Sequence, residues 1–141
     1  KTLFPYTTLF RSMDTLRELT QTMLVRFTQI DYDREMALVA TMTDDEGKET
    51  QIGVARYVGN PDGESVEFAL AVGDNCQKAG VGRKLMTALI DCARQKGYRA
   101  VVGDVLSTNA KMFRLMTSLG FSIHPHPDDT AVKRVVKPLT G

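Results

Sequence analysis

Gln77-Lys78-Ala79-Gly80-Val81-Gly82 is a glycine-bearing turn set between two different residue patterns. Before it, Ser65 to Gly73 alternates in the manner of a strand; after it, Val81 to Lys96 carries apolar residues at helical spacing. A strand that breaks into such a turn and then starts a helix is a ready anion site. Unpaired main-chain N–H groups and the positive end of the helix dipole converge there, and glycines let a phosphate approach the backbone. The turn is not a dinucleotide fingerprint, because Leu85 stands where G-x-G-x-x-G needs its third glycine. Nor is it a P-loop, since Gly82 is followed by Arg83-Lys84-Leu85. A plain strand-to-helix turn, with glycines for tight packing, is the competing reading of the same residues.

The 141 residues suffice for one domain with a real core, here spanning 13–141, and are too few for two. A net charge of +1 with scattered Lys and Arg argues against a nucleic-acid or acidic-membrane partner. No apolar run approaches a membrane span, and no signal-peptide pattern is present. Cys76 and Cys92 have no paired spacing, which points to free thiols in a reducing compartment and a cytoplasmic location.

Residues 1–12 stand apart from the rest and resemble the translated end of a sequencing adapter, a non-native segment to be left out of fold reasoning. Leu16, Leu19, Met23, Phe27 and Ile30 recur at three- and four-residue steps and predict a helix over 13–30. Glu35 to Thr43, Thr50 to Val58 and Ser65 to Gly73 predict three strands of an antiparallel meander. The turns between them are Asp44-Asp45-Glu46-Gly47 and Asn60-Pro61-Asp62-Gly63. On the third strand Glu67, Ala69 and Ala71 share a face, a carboxylate beside removed bulk, as a bound ligand would require. A strand with one solvent-facing glutamate is the plainer reading. After the helix, Arg99 to Leu106 predicts a fourth strand, and Ser107-Thr108-Asn109 caps a second helix. Ser122-Ile123 and Thr130 to Leu139 predict a last strand pair. His124 and His126, among prolines and without a third ligand, read as a solvated turn, so no metal is expected.

In combination these residues resemble the GNAT acetyltransferase superfamily. Glu67-Phe-Ala-Leu-Ala-Val72 is similar to its acetyl-CoA strand, Gln77 to Gly82 to its pyrophosphate loop, and Asn109 with Gly120-Phe121 to its second cofactor motif. Within the superfamily, Arg26 to Val39 and Asn60 to Ser65 resemble the acetyltransferase domain of Pat-type bacterial protein lysine acetyltransferases. The resemblance implies an α/β (α+β) fold: a mixed, largely antiparallel sheet flanked by helices. The family's first strand and helix are expected to be missing, their place taken by the adapter-like residues. It also implies an upstream acyl-CoA synthetase-like region in the longer protein.

The activity implied is transfer of an acetyl group from acetyl-CoA to a primary amine, chiefly the side chain of an exposed protein lysine. A small amine acceptor, or a non-catalytic acyl-CoA-binding module, are the rival readings. By position Glu67 is the implied general base, with Asp104 in reserve. The pantetheine arm is expected between the third and fourth strands, which must splay to admit it. Leu70, Ala71 and Val72 would offer it backbone bonds, with Asn109 bonding it from the other side. The diphosphate is expected on the amides of Gln77, Lys78, Ala79, Gly80, Val81 and Gly82. Departures from the family are Lys78 and Ala79 in the loop, Cys76 in place of an aromatic residue, and Met116 where a tyrosine would protonate the leaving thiolate.

Overall fold

The computed structural model describes residues 8–11, 24–73 and 80–139. The strands, with two helices interspersed, are β1 (Thr8–Arg11), β2 (Leu24–Asp31), β3 (Glu35–Thr43), β4 (Glu49–Gly59) and β5 (Ser65–Val72), then α1 (Val81–Gln95), β6 (Ala100–Leu106), α2 (Ala110–Ser118), β7 (Ser122–Pro125) and β8 (Val132–Pro138). Hydrogen bonding orders them as one mixed sheet, β1-β2-β3-β4-β5-β6-β8-β7. Consecutive neighbours from β3 to β5 are the expected meander, joined by short turns, and β2 adds a further strand beside β3. Asp44 Oδ1 accepts the Glu46 and Lys48 N–H groups, each at 2.9 Å, in the first turn. In the second, Asp62 Oδ1 accepts those of Glu64 (2.8 Å) and Ser65 (3.0 Å).

The helix expected over 13–30 is corrected in its described part: Leu24–Asp31 is strand β2. It pairs antiparallel with β3 from Leu24↔Thr43 to Asp31↔Met36, and the turn closes where the Tyr32 N–H meets the Glu35 carbonyl at 2.9 Å. Met23, Phe27 and Ile30 happen to fall at helical spacing, but cross-strand pairing outweighs that local period. Phe27 lies opposite Ala40, and both are buried. Residues 12–23 of the expected helix lie outside the described residues. Thr8–Arg11, within the segment read as non-native, form β1 and pair antiparallel with β2.

The chain divides into two compact units, Lys1–Tyr57 with Ala69–Leu89, and Val58–Phe68 with Ile90–Gly141. The first has its core in Met36, Leu38, Ala40 and Met42 along β3, in Ala55 and Tyr57 of β4, and in Val81, Leu85, Met86 and Leu89 of α1. That helix face is the one its spacing predicts. In the second unit Val66, Phe68, Val101, Val105, Met116, Phe121 and Val135 are buried. β5 and β6 pair in parallel from Ser65↔Ala100 to Glu67↔Val102, the geometry that a helical crossover between neighbouring strands produces. α1 ends as its Lys96-Gly97 sequence predicts. Gly97 takes φ +88°, and the Tyr98 N–H reaches back to the Ala93 carbonyl at 3.1 Å, a Schellman closure.

Candidate active site

In the first unit the site is a matter of backbone. β5 runs on through Leu70, Ala71 and Val72, and the N–H of Gly73 donates to the Ile52 carbonyl of β4 at 2.8 Å. Gln77, Lys78 and Ala79 of the turn, and Cys76 before them, lie outside the described residues. Gly80 sits at φ +77°, a conformation that side-chain-bearing residues rarely adopt, with open space where a Cβ would stand. The first bond of α1 then forms from the Lys84 N–H to the Gly80 carbonyl, 3.1 Å. The N–H groups of Val81 and Gly82 precede that bond and have no carbonyl within the helix to take them. No acidic side chain occupies the first turn, so the positive helix end is left uncompensated there by the helix's own residues. The described part of the turn therefore fits an anionic group.

What holds α1 in this place was not read from the sequence. Gly53 of β4 is buried, and a Cβ built on it would lie 3.0 Å from Leu85 Cδ1, 3.3 Å from the Ala71 carbonyl oxygen and 3.3 Å from Val81 Cγ1. A glycine inside an otherwise well-patterned strand is the available signal, since it often marks close backbone approach.

In the second unit the site is a matter of charge. Glu67 is exposed on β5, and Asp104 projects from the same sheet face, because Glu67 pairs with Val102 and alternation returns that face at Asp104. The two carboxylates differ in company. Asp104 Oδ1 accepts from Arg134 Nε at 3.2 Å, and its Oδ2 lies 3.8 Å from His126 Nε2. His126 Nδ1 accepts the Asp128 N–H at 3.1 Å, which puts the ring proton of the neutral imidazole on Nε2, toward Asp104. Glu67 has no hydrogen-bond or ion-pair partner among the described residues.

Behind Glu67, its neighbour Phe68 packs inward. The Phe68 ring lies 5.5 Å from that of Phe121, centroid to centroid, and covers Gly103 so closely that a Cβ there would come within 2.7 Å of its Cδ1. Asn109 is the N-cap of α2: its Oδ1 accepts the Met112 N–H at 3.1 Å. Its Nδ2 donors take no part in that cap. Met116 is fully buried and carries no exchangeable proton, so it is core rather than acid. His124 Nε2 is 2.7 Å from Ser122 Oγ, and no group of three metal-ligating side chains occurs among the described residues. Nor is any described helix long and apolar enough to cross a membrane.

Residues 6–121 match the model of the acetyltransferase (GNAT) family. An acetyltransferase of Pseudomonas aeruginosa is 33% identical over 128 residues, 91% of this chain and 68% of its own length. The L-methionine sulfoximine/L-methionine sulfone acetyltransferase of Salmonella typhimurium is 39% identical over 69 residues, 49% of this chain and 40% of its own. Among solved structures, the GNAT domain of S. lividans PAT superposes with TM-score 0.64 at 25% identity, covering 79% of this chain and 65% of that one. Salmonella typhimurium yncA, determined with its cofactor acetyl-CoA, gives 0.61 at 29%, covering 75% and 65%.

Proposed function

Since the chain belongs to the acetyltransferase (GNAT) family, whose members draw their acetyl group from acetyl-CoA, we propose that it acetylates the side-chain amine of a protein lysine with Glu67 as general base. The observation that carries the reaction is the contrast between the two carboxylates on one sheet face, Asp104 already engaged by Arg134 and Glu67 open. The likeness to the GNAT domain of a PAT protein supports the protein acceptor. The sulfoximine acetyltransferase, similar over about half of this chain, supports a small amine as the second reading.

Gln77 to Gly82 hold the linked phosphates of the donor on their N–H groups, and the backbone of Leu70, Ala71 and Val72 bonds its arm. Asn109 contributes through Nδ2. Bound acetyl-CoA supplies an acetyl group activated as a thioester. The acceptor amine must be neutral to attack it. With an ordinary lysine pKa of ~10.4, only about one side chain in 2,500 is neutral at pH 7. Glu67 takes the ammonium proton, directly or through a water. The amine nitrogen then bonds the acetyl carbon as the carbon–sulfur bond breaks, and the nitrogen's surplus proton passes to the departing thiolate or to solvent. A thiol of pKa near ~8.5 departs tolerably as thiolate, so the lack of a tyrosine at Met116 costs less than loss of the base would.

CoA release assayed against lysine-bearing proteins, polyamines and methionine sulfone tests the acceptor. Turnover on a protein and not on the small amines is expected. Turnover on methionine sulfone alone would replace this reading with the second, and acetyl-CoA binding with no turnover on any acceptor would make the chain a regulatory module.

A further inference from the structure

We propose that Gly53, on a strand that carries none of the donor-binding residues, is the positioning residue for the end of β5 and the start of α1 in the acetyl-CoA site; this rests on the reading of Leu70 to Val72 and Gln77 to Gly82 as that site. The two halves of the site are separate stretches of chain, one the end of β5 and the other the first turn of α1. Both come to the same point. The Ala71 carbonyl lies 3.3 Å from where a Gly53 Cβ would be, and Val81 Cγ1, from the residue that opens α1, lies at 3.3 Å on the same construction. Leu85 Cδ1, one helical turn on, is at 3.0 Å. Val81 and Leu85 are fully buried, so they have no solvent to retreat into.

A methyl group at position 53 therefore cannot be absorbed by a surface side chain. Its neighbours have to give by a few tenths of an ångström, and because the interior is close-packed we infer that this is taken up by the N-terminus of α1 and the β5 main chain at Ala71. Either movement shifts N–H groups that have to meet phosphate oxygens at hydrogen-bond distance. No charge, proton or acceptor contact is altered. The effect should thus fall on donor binding and leave the base alone.

Gly53→Ala and Gly53→Val are compared in the full chain by calorimetry with acetyl-CoA and by steady-state kinetics. Gly103→Ala serves as a variant that strains the core elsewhere, against Phe68. Gly53→Ala should raise Kd and KM for acetyl-CoA about 5–10-fold, and Gly53→Val on the order of 10²-fold, as expected for displaced binding groups. The acceptor KM and the pH profile of kcat should not move. Gly103→Ala should lower thermal stability without that rise in Kd. A folded Gly53→Ala protein with unchanged donor affinity would overturn the proposal, as would parallel rises in donor and acceptor KM, or an equal rise from Gly103→Ala. Should Gly53→Val fail to fold, the alanine variant decides alone. Gly82→Asp separates the two levels of the argument. If it weakens acetyl-CoA binding while the Gly53 variants bind normally, only the role of Gly53 falls; if it binds normally, the donor site itself is elsewhere.

Discussion

At position 67 a carboxylate stands unpaired among the described residues, while on the neighbouring strand Asp104 shares its charge with Arg134 and faces His126. Replacing Glu67 with Gln keeps shape and removes proton affinity. Turnover should fall about 10²–10⁴-fold, the usual contribution of a positioned base, with acetyl-CoA affinity preserved. Asp104→Asn should cost far less. Full kcat in Glu67→Gln across the pH range would exclude the carboxylate as base. A second residue-scale prediction concerns Asp62 in the β4–β5 turn. The N–H groups of Glu64 and Ser65, then the Ser65 hydroxyl, hold its carboxyl below the ordinary value of 3.8. A depressed folded-state pKa contributes stability above the unfolded value and loses it as pH falls through the folded one. Asp62→Ala should therefore lower Tm near pH 7, and the gap from the parent should close on acidification below pH 3.8. A gap that persists or widens in acid would contradict that sign. Asn60-Pro61-Asp62-Gly63 announced this turn in the sequence, because both the proline and the Asx residue act locally. The engagement of Asp104 could not be read, since its partner Arg134 is distant in the chain and meets it only through β6–β8 pairing.

At the scale of elements, what could be read is again what is local. α1 was predicted from its apolar spacing and its Lys96-Gly97 stop, and α2 from the capping Asn109, whose Oδ1 takes the Met112 N–H. β5 was legible in its alternation, β3 and β4 between their turn signals, and β6 in its apolar run. β2 was not, because Phe27 and Ile30 fit a helix as well as a strand until pairing with β3 decides between them. The glycines at 53 and 103 also escaped, since a glycine within a strand flags a close approach without saying which distant residue makes it. Gly103 carries a prediction of its own. A Cβ there would collide with the buried Phe68 ring, which Phe121 backs at 5.5 Å, so the ring cannot swing clear. Gly103→Ala should destabilise the fold by about 1–3 kcal/mol, as overpacked cores do. Denaturant unfolding with an unchanged midpoint would show that Phe68 relaxes freely.

For the molecule as a whole, the chain spans 65% of the length of either solved neighbour. The division of labour within the described residues is nonetheless specific. As proposed, donor binding falls to main chain, in Leu70 to Val72 and the Gly80–Gly82 start of α1, and proton transfer to the Glu67 side chain. Binding and proton transfer should accordingly fail separately under mutation, donor affinity with Gly82→Asp and turnover with Glu67→Gln. The common premise is that the donor's linked phosphates rest on backbone N–H groups where β5 gives way to α1. Titrating acetyl-CoA into the 15N-labelled chain, with amide signals followed residue by residue, tests that premise most directly. Saturable shifts concentrated at Gly80, Val81 and Gly82, and at Leu70 to Val72, are the predicted result; saturable binding that leaves those amides unmoved would contradict it.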